Sequence, residues 1–297
     1  MERLIEGTIG EAAGVWVQDR GGGGLRLRGS VVIEDLTPVL TSIASRSGAN
    51  GPMNPVTQYI LSAAADHLAS RLTDGLASGD REAVPRILSG SLGHQPFIEQ
   101  VLGMSQHQML RRWPLASDWY TDVINYIMRP GRFDDLHRQG IERLDEWTSG
   151  TLGEFVRRMG AHVVQGTQPE HIGRVSEALQ QLWPDYPPVR NAVNAYARQV
   201  RELWIPLWVE AARRYGLVVR SDVDIEDLAW SFNALQARET IERLGSPEPG
   251  RPLVPGGEPW TRTSRGVLLL LSGVLTDKDG RVLTLQEIIG RRPEAAS

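Results

Sequence analysis

Apolar positions along the chain recur mostly at helical spacing. Over residues 56–76, Tyr59, Ile60, Ala63, Ala64, His67, Leu68 and Leu72 fall on one stripe of an amphipathic helix, which Gly79 ends. Over residues 134–164 the apolar set Ile141, Leu144, Leu152, Phe155, Val156, Met159 and Val163 predicts a long helix or helix pair, closed by residues 166–169. Helices follow at 170–183 and 189–215. The second of these places Val200, Leu203, Trp204, Leu207, Trp208 and Ala211 on one face, with Pro206 as its expected kink. Asp224 reads as the N-cap of another helix, whose buried stripe is Ile225, Leu228, Ala229, Phe232 and Leu235. Residues 246–259 read as a Pro/Gly-rich loop, and residues 261–275 as a helix apolar on nearly every side, which needs partners on every side.

Elsewhere the pattern is more broken. Spacing over residues 5–18 permits a helix that ends at the glycines 21–24, and residues 32–44 predict a second helix with Pro38 near its start. Residues 45–55 form a Ser/Gly/Asn/Pro linker. A run of short helices over 82–128 is separated by Gly90, Gly93, Gly103 and Pro114, and the tail 276–288 reads as a turn or hairpin around Asp279 and Gly280. The segments 24–40 and 216–232 share 8 of 17 positions, including Ile-Glu-Asp-Leu in each. That is how a polar-capped amphipathic helix entry recurs by chance. The expected class is all-α: a helical bundle with an embedded helix-turn-helix.

Composition narrows the function classes. The 297 residues are 41% hydrophobic and 23% charged, ordinary globular usage. The net charge of −4 gives no global field for nucleic acid, so any DNA contact must come from a local arginine cluster. Cysteine is absent, which removes disulfides and thiolate chemistry. No apolar run approaches the roughly twenty residues that span a bilayer, and the start MERLIEGTIGEAAGVWV lacks a signal-peptide core; the expectation is a cytoplasmic protein without a membrane partner. With Lys278 the sole lysine there is no P-loop, and no zinc helix or nucleophile elbow occurs. His67, His94, His107, His137, His162 and His171 show no metal-ligand spacing, and Leu275 and Gln286 occupy the first and twelfth positions of what would be a calcium loop around residues 277–280. No catalytic residue, metal or cofactor is expected.

The stretch IEQVLGMSQHQMLRRWPLASDWYTDVI, residues 98–124, resembles the helix-turn-helix of TetR-family transcription regulators. Gly103, Met104 and Ser105 supply the turn, residues 106–112 the recognition helix, and Trp113 with Pro114 the aromatic-Pro step into the next helix. The physics fits that pattern, because Gly103 can take the positive φ a turn needs and Ser105 can cap the second helix. The resemblance implies that Ser105, Gln106, His107 and Gln108 face base edges and that Arg111 and Arg112 hold phosphates. The other reading of these residues is an exposed helix between two turns.

Residues 191–275 resemble the C-terminal regulatory domain of the same family, with AARRYGL closing a long helix and DVDIEDLAWSFNAL opening the next. This implies a homodimer formed by the last helices, a small-molecule effector, and double-stranded operator DNA as partner. Trp183, Trp204, Trp208, Trp230 and Phe232 are candidates for the effector pocket or for ordinary core. The usual first two helices of the DNA-binding module are hard to place, because almost a hundred residues precede the turn. The expected organisation is an N-terminal helical segment over 1–80, the helix-turn-helix over 81–128 and a regulatory domain over 129–297. Beside the regulator stands a second expectation, a relative that senses a ligand or binds a protein and has lost DNA binding.

Overall fold

The computed structural model describes residues 7–18, 24–77, 97–129, 131, 134–166, 170–245, 251–252 and 258–294. The short helices expected over 82–96, with Gly90 and Gly93, lie outside the described residues, as does most of the loop expected over 246–259. The described chain is mainly helical. Its helices are α1 (Pro55–Ala77), α2 (Gln106–Leu110), α3 (Ala116–Ile127), α4 (Asp134–Glu142), α5 (Leu144–Thr148), α6 (Leu152–Gly166), α7 (Glu170–Leu182), α8 (Pro187–Gln199), α9 (Ile205–Arg214), α10 (Ile225–Gly245), α11 (Arg262–Val274) and α12 (Leu285–Gly290). Six short strands accompany them, β1 (Ala12–Gln18), β2 (Leu25–Val32), β3 (Leu217–Val219), β4 (Arg251–Pro252), β5 (Pro259–Trp260) and β6 (Leu275–Asp277), paired antiparallel as β1–β2, β3–β6 and β4–β5.

The chain forms two compact units, one of Met1–Arg129 with His171–Val193 and one of Pro130–Glu170 with Asn194–Ser297. Residues 171–193, part of the segment 129–297 expected as one domain, belong to the first unit. The N-terminal segment and the helix-turn-helix stretch, expected as separate domains, share one core instead.

The first unit opens with the β1–β2 hairpin, where the spacing predicts a helix. Two-residue alternation wins: Val15 and Val17 are fully buried while Trp16 between them is half exposed. The register shifts between Val15 and Trp16, which makes Arg28 the extra residue of a bulge. The helix expected over 32–44 is also absent. The backbone of Glu34 is taken at both ends by the Gln58 side chain, which accepts from Glu34 N at 3.0 Å and donates to Glu34 O at 2.7 Å. Ile33 and Leu36 are buried in this extended form.

The second copy of Ile-Glu-Asp-Leu does start a helix, α10. Asp224 precedes it and accepts from Glu226 N at 2.7 Å, whereas Val32 holds the matching place in the first copy and cannot cap. Pro38 also stands where Trp230 continues α10. Asp224→Ala is expected to lower the stability of the second unit by about 1 kcal/mol, read from the shift of its urea midpoint; no shift would show that the cap is dispensable.

Helix α1 is capped by Asn54, whose side chain accepts from Val56 N at 3.0 Å and Thr57 N at 3.4 Å. It packs on both strands of the hairpin, on the helical turn Ile98–Leu102 and on α3. Val15, Leu36, Ile60, Leu61, Phe97, Met104, Trp113 and Trp119 meet in this core, with Val175 and Leu179 from α7.

In the second unit α11 packs on α6, α10 and α12, and β3 pairs with β6. The helix expected over 189–215 runs as α8 and α9, joined without a gap by a wider π-type segment at Val200–Trp204 where the kink was expected. Pro206 explains the widening, since it has no N–H to return to the carbonyl four residues back, and the ladder loosens just ahead of it. His137 sits at the same turn with its Nε2 3.0 Å from Leu203 O. The tail forms β6, a turn with Gly280 at φ 81°, and α12 behind a capping box of Thr284 and Glu287.

Candidate nucleic-acid interface

The turn expected at Gly103 is present. Gly103 lies in the left-handed region at φ 59°, and its N–H donates to Ile98 O at 2.8 Å, closing the helical turn that precedes it. Met104 then enters the core, Ser105 is extended, and α2 begins at Gln106. Ser105 occupies the N-cap place, but its hydroxyl makes no capping bond; its carbonyl accepts from Gln108 N at 3.1 Å.

The five residues of α2 and the C-cap residue Arg111 sort into faces. Met109 is fully buried, Gln108 is half-buried, and Gln106, His107, Leu110 and Arg111 are exposed. Trp113 is fully buried against Trp119, ring centroids 4.8 Å apart, and its indole N–H donates to Asp122 at 2.9 Å. The outward set is thus the polar Gln106, His107 and Arg111 with the apolar Leu110, on a helix anchored from beneath by Met109 and Trp113.

Arg112 departs from its expected role on phosphate. It is 4% exposed, and its guanidinium donates to Thr57 Oγ1 at 2.8 Å, Gln108 O at 2.9 Å, Ala49 O at 2.8 Å and Asn54 Oδ1 at 3.1 Å. Those partners lie on the loop before α1, on α1 and on α2, so Arg112 fastens three segments together. These four acceptors are neutral oxygens, and they engage all three nitrogens of the guanidinium.

Asp122 is a second polar residue of the core that the sequence pattern passes over. It is fully buried on α3 and accepts from Ser42 N at 3.0 Å as well as from Trp113. Burial pushes its carboxyl above the ordinary range, against the pull of the donors Trp113, Ser42 and Thr41. The residues on either side of it, Thr121 and Val123, give no sign in the sequence that an acid here faces inward.

Arg129 completes the polar frame. Its guanidinium meets Glu34 in a two-pronged pair, both bonds 2.8 Å, and lies 3.9 Å over the ring of Tyr126.

The five aromatic residues named for an effector pocket do not form one group. Trp204 is buried, with Trp208 at 6.3 Å and Phe232 a further 5.0 Å from Trp208 in an edge-on contact, and His137 also meets Trp204 edge-on at 5.2 Å. Tyr196 and Asn233 lie beside this row, joined by a 3.4 Å hydrogen bond. Trp230 points away from it at 72% exposure, because it falls on the opposite face of α10 from Phe232. Trp183 packs on the core of the first unit. Among the described residues no cluster of three or more His, Asp or Glu side chains could hold a metal ion, and no described helix is long and apolar enough to cross a membrane. No family model, no curated protein and no solved structure matches this chain.

Proposed function

We propose that the chain is a TetR-like transcription regulator that binds double-stranded DNA as a homodimer and answers to a small-molecule effector. The observation that carries this reading is the helix α2, held by a left-handed Gly103 turn with Met109 inward and Gln106, His107 and Arg111 outward. Glutamine suits the N6/N7 edge of adenine and arginine a phosphate. Helix α1 packs on the helical turn Ile98–Leu102 and on α3, so the segment that presents α2 is braced from beneath. The aromatic row Trp204, Trp208 and Phe232 supplies a surface for a flat apolar effector. Trp230 on α10 and Leu269 on α11, 72% and 62% exposed on helices that pack together, supply apolar surface for a second copy.

The test is fluorescence anisotropy of the full chain against its own upstream DNA and a scrambled duplex, over a range of salt. Specific binding that weakens with salt is expected, and Arg111→Ala should weaken it on every sequence and lower the slope of log K against log salt by about 0.9. Equal affinity for both duplexes at low salt would end this reading. The second reading, a sensor or protein-interaction module without DNA binding, is favoured by the net charge of −4 and by the internal use of Arg112. Capture of a protein partner together with no DNA binding would select it.

A further inference from the structure

Arg112 does more than brace the core. Its carbonyl accepts from Ala44 N at 2.8 Å and its guanidinium donates to Ala49 O at 2.8 Å, so one residue at the end of α2 holds both feet of the loop 44–49. That loop reads Ser45-Arg46-Ser47-Gly48 between its feet. It is internally set: Ser45 Oγ donates to Ser47 O at 2.8 Å, Gly48 takes φ 72°, and Gly51 N donates to Gly48 O at 3.0 Å. Gly51 lies so close beneath that a Cβ there would come within 2.7 Å of the Ser47 backbone. Ala44, Arg46 and Ser47 are exposed.

The charges point the same way. Arg46 is the only charged residue between Leu36 and Ala65, and Arg111 and Arg112 are the only Asp, Glu, Lys or Arg between Gln100 and Ser117. Arg112 is buried, so these two stretches present two exposed arginines, Arg46 and Arg111, and contain no carboxylate, inside a chain whose net charge is −4. The Arg46 guanidinium donates to Leu40 O and, at 2.5 Å, to Thr37 O; both are neutral carbonyls, so its charge stays uncompensated by them while its direction is fixed. A positive side chain pre-set beside a helix that presents Arg111 is the arrangement that binds a phosphate backbone with little ordering cost.

We propose that the loop 44–49 is a second DNA-backbone contact, with Arg46 binding a phosphate of the duplex that α2 enters and Arg112 serving as the positioning residue that fixes the loop to α2. This inference rests on the DNA-binding reading above. It gives the chain a basic surface made from a segment far from the helix-turn-helix in sequence, with the exposed Ser47 beside Arg46 on the same loop.

The experiment is the salt titration of the full chain on its own upstream duplex, with Arg46→Gln, Arg46→Lys, Arg111→Ala and the Arg46→Gln/Arg111→Ala pair. Glutamine keeps an amide donor for the Leu40 or Thr37 carbonyl and removes the charge, and thermal melts check that the fold is kept. Arg46→Gln is expected to lower the salt slope by about 0.9, Arg46→Lys to restore it, and the pair to lower it by about 1.8. A wild-type slope in Arg46→Gln, alongside a reduced slope in Arg111→Ala, overturns the loop contact and leaves the DNA-binding reading standing. No binding by the wild-type chain at low salt overturns both.

Discussion

Replacing Trp113 by alanine is expected to lower the stability of the first unit by about 3–5 kcal/mol, the range for emptying a buried aromatic site. The ring is fully buried, packs against Trp119 with centroids 4.8 Å apart and sits under α2, so its removal empties a large site in the core. The loss has a second part, because Asp122 would keep its place in the core with one donor fewer. Trp113→Phe separates the two: the ring stays, the indole N–H goes, and a loss of about 1–3 kcal/mol is expected. Urea unfolding followed at the helical band measures both, and a phenylalanine variant as stable as the wild type would show that the 2.9 Å bond to Asp122 carries no net stability.

The same carboxyl gives the pH dependence a sign. Burial holds Asp122 above its ordinary range, so the folded chain binds this proton more tightly than the unfolded chain does. Its share of stability is therefore greatest below the unfolded pKa and declines as pH rises through the folded one. Compared with Asp122→Asn, which cannot titrate, the wild type should gain relative stability as pH falls from about 7 to about 4. A drift in the opposite direction would mean that the donors from Trp113, Thr41 and Ser42 outweigh burial.

Helices with long apolar stripes were legible from spacing alone: α1, α6, α7, α10 and α11 lie where periodicity predicts them. The Gly103 turn was legible too, since only a few residue types fit a left-handed turn. What failed was local pattern that a distant residue decides. Ile-Glu-Asp-Leu occurs twice and folds two ways, and the difference lies in one preceding residue, Asp224 against Val32, and in a side chain from another helix, Gln58 on the Glu34 backbone. The hairpin strands β1 and β2 are short, so their two-residue alternation competes with a helical reading of the same apolar set. Arg112 looked like a surface arginine because its acceptors, Ala49 O, Asn54 and Thr57, lie more than fifty residues away in sequence. The aromatic set was divided by helix geometry and by unit boundaries, neither of which residue type reveals.

In the second unit the largest expected effect comes from a residue with no side chain. Gly160 on α6 faces the start of α11, where a Cβ would come within 3.1 Å of Ser264 Cβ and 3.2 Å of its Cα. Ser264 cannot yield easily. It is fully buried, its N–H donates to the Thr261 cap at 3.0 Å, and its hydroxyl lies 2.7 Å from Thr261 Oγ1. Next to it the buried Glu239 of α10 accepts from Thr263 N at 2.5 Å, so the first turn of α11 is pinned from two helices. Helix propensity alone would make Gly160→Ala stabilising by up to about 1 kcal/mol. The close approach predicts the opposite sign, with Gly160→Ala destabilising and Gly160→Val costing about 3 kcal/mol as overpacking. Gly273, near the other end of α11, has nothing within 4 Å of a Cβ, so Gly273→Ala should follow propensity and stabilise. Denaturation midpoints of the three variants decide between the two effects: opposite signs at Gly160 and Gly273 establish the α6–α11 crossing as the tight contact of this unit, and a stabilised Gly160→Ala would mean that the helices part there without loss.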